Sequence, residues 1–532
     1  MISGPDRHPH DVLVIGAGGA GLRAAIEAAA SGASVGLVCK SLLGKAHTVM
    51  AEGGIAAALR HVDDRDSWQT HFRDTMVGGK MLNNARMAQL HALESPARVR
   101  ELEQWGAVFD RTRDGRILQR PFGGHSHPRL AHVGDRTGLE MIRTLQDRAV
   151  SMGMAVYMEH TITHLTTNPS GVTGAFGYRR VDGAAVAFPA KAVLLATGGI
   201  GKAYEITSNS WEYSGDGQAL AVRAGAELID MEFVQFHPTG MVWPPGVEGL
   251  LVTEAVRGEG AKLIDKNGYR FMADYHPQLE LAPRDVVSRA IDAEMKRTGD
   301  DFVVLDMTHL KGDFLAERFP NIHKRCMELG IDMRSQPIPV VPAAHYSCGG
   351  VVVDARGRST VRNLYAIGEV SMTGLHGACR LASNSLLEAM VFAARAADDV
   401  RHAEVARPAH VAPWYAGEAG SSDEAVVVSH NWDEIRRLMW NYVGIVRSDR
   451  RLERAARRIE LIRDEIRDYY WNVAINGDLV ELRNIALCAQ LIIECARRRT
   501  ESRGLHYNID HPDHDPRLAR DTIVVRGDGP VV

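Results

Sequence analysis

The sequence predicts an α/β protein of several domains, wound around a nucleotide-binding turn near its N-terminus. Three observations predict it. Gly16-Ala17-Gly18-Gly19-Ala20-Gly21 fits G-x-G-x-x-G, directly after an apolar run and before an Ala-rich one. Strand and helix signals alternate to about residue 237, the pattern of a parallel sheet with crossover helices. At 532 residues the chain is too long for a single core, so two or three domains are expected.

Asp11-Val12-Leu13-Val14-Ile15 is short, apolar and β-branched, as a buried parallel strand requires. The glycines that follow permit a tight turn and close backbone approach. Leu22 to Ser31 reads as the helix, with Gly32 as its C-cap, and Ser34 to Cys39 as the second strand. The free N–H groups at the helix start would face a pyrophosphate. Lys40-Ser41 stands where an NAD site usually has an acidic residue, which weakens NAD and leaves FAD open. His47 sits in Gly44-Lys45-Ala46-His47-Thr48-Val49-Met50-Ala51-Glu52-Gly53-Gly54, where a flavin ring would rest if the turn holds its pyrophosphate. Ala192 to Gly199 is another buried strand running into a glycine turn, and Ser214-Gly215-Asp216-Gly217 opens a helix from Gln218 to Ala224.

The texture then changes. Residues 238–345 carry more Pro, Trp and charged loops, and Asn363 to Glu369 returns to the strand-then-glycine style. The middle segment therefore reads as a domain inserted into the nucleotide-binding fold. The expected division is 1–237 and 346–400 for the two parts of that fold and 238–345 for the insertion. A linker rich in Ala, Pro, Gly and Ser is expected at 401–430, and a helical domain at 431–532. In the last, Ile435, Leu438, Met439 and Tyr442 share one face, as do Leu452, Ala455, Ala456 and Ile459. Cys488 and Cys495 read as buried helix residues, and the arginines of this region as a solvated face.

Bulk properties exclude several classes. A net charge of −4 implies no nucleic-acid partner. No apolar stretch approaches the ~20 residues of a membrane span. Residues 1–7 lack the apolar core of a signal peptide, so the cytoplasm is expected. The six cysteines are scattered without C-x-x-C, which suggests neither disulfides nor a metal or iron–sulfur site in this chain.

Histidine and arginine recur among small residues in five segments: Phe233 to Gly240, Thr253 to Gly260, Ala282 to Asp285, Ala343 to Tyr346, and His376 to Ser385. Singly, each has a structural explanation, since a lone His is usually hydrogen-bonded and an Arg usually solvated. Together they supply forked Arg donors and His donors for two carboxylates. Glu254 and Arg257 are three apart, so in a helix they share a face and can relay a proton.

These motifs resemble the flavoprotein family of L-aspartate oxidase, succinate dehydrogenase and fumarate reductase, over nearly the whole chain. The resemblance implies a Rossmann-like FAD-binding domain, an inserted α+β capping domain that closes the site, and a C-terminal helical domain. It implies that Gly16, Gly18, Gly21, Ser41, Thr48, Gly54, Asp216, Glu369 and Ser385 contact FAD. It implies that His237, Thr253, His345 and Arg380 grip a four-carbon dicarboxylate, and that Arg284 transfers the proton, fed along Glu254 and Arg257. Hydride then passes between substrate and FAD.

Two branches of the family meet in this chain. Residues 1 to about 245 resemble succinate dehydrogenase and fumarate reductase, where Ala46-His47-Thr48 matches the site of covalent FAD attachment; Lys45-Ala46 replaces the usual Arg-Ser. Residues from about 250 onward resemble L-aspartate oxidase more closely, as in Val340 to Gly350, Thr373 to Gly377 and Glu501 to Tyr507. Cys379 departs from both, which carry Asn there. Aspartate oxidases place a Glu before Gly-Gly-His-Ser to meet the substrate ammonium; here Phe122 precedes Gly123-Gly124-His125-Ser126. The extent of resemblance favours L-aspartate oxidase, making iminoaspartate for NAD biosynthesis with O2 or fumarate as acceptor. His47 and Phe122 favour the alternative, a succinate dehydrogenase or fumarate reductase flavoprotein partnered by an iron–sulfur subunit. A non-catalytic flavin module is disfavoured because the charged constellation is complete.

Overall fold

In the computed structural model, residues 5–402, 425–473 and 475–524 are described. Strand His10–Ile15 lies between Val35–Val38 and Ala185–Leu195, both parallel to it. Ala155–Tyr157 extends the sheet on one side, and Leu364–Ala366 pairs in parallel with Ala185–Leu195 on the other. This last strand comes from well after the glycine turn in sequence. Three strands, His160–Asn168, Gly171–Arg179 and Ala185–Leu195, also form an antiparallel meander. Val12, Leu13 and Val14 are fully or almost fully buried, which explains why their run is continuously apolar rather than alternating.

The first helix is Gly19–Ala30, so it begins inside the glycine motif and not at Leu22. Glycine weakens helices, but here the helix must start close to the turn to present its N–H groups. Gly16 takes φ +109°, and a Cβ there would lie 2.2 Å from the Ala196 carbonyl oxygen. The turn is thus held against the neighbouring strand end. The later helix is Asp216–Arg223, opening at the acidic residue.

An antiparallel sheet of Val234–Met241, Ile338–Ser347, Val303–Asp306 and Lys262–Ile264 forms a second body. Helix Arg284–Thr298 packs Val287, Ala290 and Ile291 into its core, beside Leu263, Leu305 and Val340. Helices Ala425–Tyr442, Asp449–Asn472 and Gly477–Arg498 form a third. Ile435, Met439, Leu452, Ala455 and Ile459 are buried there, as are Cys488 and Cys495. The expected linker 401–430 needs correction at its end: residues 425–430 already belong to a helix that seats Val428 on the core. Most of its remainder, 403–424, lies outside the described residues. All six cysteines are buried and unpaired. No helix among the described residues is long and apolar enough to cross a membrane.

Candidate active site

One cavity joins the glycine turn to the histidine and arginine segments. Gly16, Gly18, Ser41, His47, Thr48, Gly54, Asp216, Glu369 and Ser385 line it, and so do Phe122, His237, Thr253, Arg284, His345 and Arg380. Widely separated stretches of sequence thus meet in one space. Gly21, Glu254 and Arg257 do not line it. Gly21 acts from beneath the turn: a Cβ there would fall 1.8 Å from the Gly16 carbonyl oxygen, so only glycine lets helix and turn close together. This packing role stands beside the FAD contact that the resemblance implies for Gly21.

The glycine turn fits a dinucleotide. Gly19 donates its N–H to Thr48 Oγ1 at 3.2 Å, which ties the helix start to the His47 turn. Asp216 is paired with Lys40 at 2.8 Å, and Lys40 also reaches Glu481 at 3.2 Å. The Lys40 ammonium overcomes the burial penalty on Asp216 and holds that carboxyl below its ordinary range. Glu369 accepts a hydrogen bond from the Ser347 N–H, yet burial pushes its pKa up to about 8.

His47 opens a short 3₁₀ turn, His47–Met50. Ser210 N–H donates to its Nδ1 at 3.2 Å, and Asn209 Nδ2 lies 3.1 Å from its Nε2. Its ring meets Tyr213 edge-on, with centroids 4.5 Å apart. Burial, with help from Arg380, lowers its pKa to about 4, so the imidazole is neutral.

The other part of the cavity is built from long side chains. Arg284, at the start of its helix, donates through Nε to Glu254 Oε2 at 2.8 Å and through Nη1 to Gln235 Oε1 at 3.1 Å. Arg380 donates through Nε to the same Gln235 oxygen at 3.2 Å. One neutral amide therefore spaces two guanidinium groups. Arg257 follows Glu254 on helix Glu254–Gly258 and lies 3.6 Å from its carboxylate. Burial opposes a charge on Glu254, but Arg284 and Arg257 outweigh it and hold the carboxyl below its usual range. Thr253 caps that helix. His237 and His345 lie with ring centroids 5.1 Å apart. Burial first, then Arg284 for His237 and Arg380 for His345, keeps both well below 6.5. Ser208 Oγ holds His345 Nδ1 at 2.7 Å. Phe122 is 7% exposed, and its Cζ would lie 3.2 Å from a Cβ on Gly53.

Two arginines thus share a single carboxylate partner, Arg380 has none among the described residues, and the histidines are neutral. Such a site takes an anion with more than one acceptor group. Sequence reasoning missed Gln235, Ser208, Asn209 and Lys40. Gln235 carried a signal, since it shares the period-two face of its strand with His237. Lys40 carried none, because its partners lie on remote segments.

Fold and cavity define an FAD-dependent oxidoreductase that acts on a small dicarboxylate. The FAD binding domain family matches residues 11–386, and the fumarate reductase flavoprotein C-terminal family matches residues 432–528. The L-aspartate oxidase of Vibrio cholerae is 44% identical over 95% of this chain and 96% of its own. One subunit of the fumarate reductase (CoM/CoB) of Methanothermobacter marburgensis is 42% identical over 97% of each chain. The structure of Mycobacterium smegmatis Sdh1 in complex with UQ1 matches at 44% identity and a TM-score of 0.85, over 99% of this chain and 96% of that one. The chain belongs to the flavoprotein family of L-aspartate oxidase, succinate dehydrogenase and fumarate reductase.

Proposed function

We propose that the chain interconverts succinate and fumarate, passing hydride between the dicarboxylate and FAD, and that its electron partner is an iron–sulfur subunit. Phe122 carries this proposal. It puts an apolar ring where an aspartate enzyme needs an acceptor for the substrate ammonium. Nearby carboxyl groups do not replace that acceptor. Glu254 is committed to two arginines. Burial drives Glu52 and Glu369 toward their neutral forms. Leaving an ammonium without a partner would cost about 2–3 kcal/mol of selectivity.

The remaining roles follow from position. Arg380, His237, His345 and Thr253 bind and orient the two carboxylates. Arg284 faces the cavity and moves the proton at the substrate carbon, with Glu254 and Arg257 behind it. Arginine's ordinary pKa is near 13, so this role needs a dry, closed site and an anion at hand. Burial favours the neutral guanidine, and Glu254, within hydrogen-bond reach, is the group that exchanges the proton with it. Bound FAD supplies the hydride acceptor or donor. The Ser210 N–H meets His47 Nδ1 and the Asn209 amide meets Nε2, so a covalent flavin bond at Nε2 would take the place of the Asn209 contact.

L-aspartate oxidation is the second reading, with O2 or fumarate as acceptor. The observation that favours it is the set of aspartate oxidases at 44–45% identity over nearly the full length. A steady-state assay with succinate, fumarate and aspartate, using O2 and an artificial acceptor, decides between them. Turnover of aspartate without succinate would overturn the first reading. Acid precipitation tests the linkage: flavin colour staying in the pellet is expected, and colourless pellets would make His47 a neighbour only.

A further inference from the structure

Arg380 is buried, yet its side chain pairs with no carboxylate among the described residues. Its guanidinium lies 4.4 Å from the centre of the Tyr346 ring. The far edge of that ring is polar. Tyr346 Oη donates to Glu388 Oε2 at 2.7 Å. His376 Nε2 lies 2.9 Å from the same oxygen, and Thr373 Oγ1 donates to the other at 2.6 Å. Three donors therefore surround one carboxylate that is 1% exposed. Burial works against its charge, but His376, Thr373 and Tyr346 prevail and hold it below the ordinary range.

The chemistry of this stack is directional. A phenol that donates to a carboxylate gains electron density, and a richer ring is a better platform for a cation. Glu388 thus supplies counter-charge at the distance of one ring. A direct ion pair would occupy the guanidinium fork; here Nε meets Gln235 and Nη1 meets Ser385, and the ring contact leaves Nη2 for a ligand. The sequence sets the parts beside the gripping residues, with Tyr346 next to His345 and His376 four positions before Arg380.

We propose that Tyr346, Glu388 and His376 are positioning residues that hold Arg380, charged and oriented, for a substrate carboxylate. Glu388 backs the ring, the ring carries the guanidinium, and His376 fixes Glu388. The inference rests on the dicarboxylate site described above.

The test uses the full-length flavin-loaded protein and malonate, a dicarboxylate that does not react. Binding is followed by the change in flavin visible absorption, beside succinate kinetics, flavin content and melting temperature. Glu388→Gln and Tyr346→Phe are each expected to raise the malonate Kd and the succinate KM roughly tenfold, with kcat within about twofold. The double variant should be no weaker than the worse single one, because both break the same stack. His376→Gln, which keeps a donor, should lose less than His376→Leu. Unchanged malonate affinity in Glu388→Gln, or single effects that multiply in the double variant, would overturn the proposal. So would a fall in kcat at constant KM. Should Glu388→Gln lose its flavin, Tyr346→Phe, which removes one oxygen, decides alone. A wild-type protein that responds to no dicarboxylate overturns the site itself. A responsive wild type with unchanged variants overturns the stack alone.

Discussion

The two parts of the cavity are built from opposite materials. Around the glycine turn the wall is backbone and small side chains: Gly16, Gly18 and Thr48, with a helix start behind them. Around Arg284 and Arg380 it is long charged side chains, separated by neutral spacers such as Gln235. The first part excludes bulk so that a cofactor can approach the main chain. The second stores charge, with Arg284 and Arg257 on Glu254 and Arg380 on no carboxylate among the described residues, and is suited to a ligand that brings anions. A substitution should therefore fail by steric closure in one part and by electrostatic loss in the other.

The most global expected effect, loss of the cofactor itself, tests the steric side. Gly21→Val places side-chain atoms against the Gly16 carbonyl, where even a Cβ would be 1.8 Å away. Helix and turn must separate, and forced overpacking of this kind is strongly destabilising. Purified protein is expected to hold less than about a tenth of the wild-type flavin per chain. Normal flavin content would show that the turn can relax, and the two parts would no longer differ in how they fail.

Arg284→Met tests the electrostatic side. It keeps an unbranched stem but removes the guanidinium that faces the cavity, and leaves Glu254 with Arg257 alone. Turnover is expected to fall roughly a thousandfold, within the usual range for an acid–base group. Flavin content should stay normal, because no glycine-turn contact changes. Residual turnover above a tenth of wild type would move the proton role elsewhere.

The same contrast explains what could be read from the sequence. A strand, turn and helix are contiguous, so Gly16 to Gly21 announced a nucleotide site by local spacing alone. What the motif could not tell was how each glycine packs; Gly21 closes the helix onto the Gly16 carbonyl. The gripping residues were visible because each sits in a short stretch of small residues around His or Arg. Their spacers were not, since Gln235 and Ser208 have no unusual setting until the chain folds. Lys40 is the clearest case. In sequence it registers only as a missing acid, while in the fold it reaches Asp216, 176 positions on, and Glu481, 441 positions on.

Phe122→Glu sharpens the substrate part alone. A carboxylate at this position would offer an ammonium its missing partner and would repel a third anion. The ratio of kcat/KM for aspartate to that for succinate is expected to rise about 30- to 100-fold. The change should come mainly from both KM values moving in opposite directions. An unchanged ratio would mean that ammonium recognition lies elsewhere and would favour the aspartate reading of the native chain.

The smallest effect is expected at Lys40, a charged device beside the glycine turn. Its ammonium meets Asp216 and Ser214 Oγ at 2.8 Å and Glu481 at 3.2 Å, so it joins the nucleotide-binding fold to helix Gly477–Arg498. Of the two acids, the nearer Asp216 keeps its charge, while burial raises Glu481. Lys40→Met leaves that charge without its cation, at a cost of about 1–3 kcal/mol. The melting temperature should fall by several degrees, and Lys40→Arg should restore most of it. The pH dependence has a definite sign. Asp216 is depressed in the fold, so its contribution is present above the ordinary value of 3.8 and is lost as pH falls through the lower folded value. The gap between wild type and Lys40→Met should therefore start to narrow above 3.8, because burial without the ammonium raises Asp216 in the variant, and should close as pH falls through the lower wild-type value. Weakened flavin binding with no change in melting would instead place Lys40 against the cofactor, and the wall of that part would no longer be backbone alone.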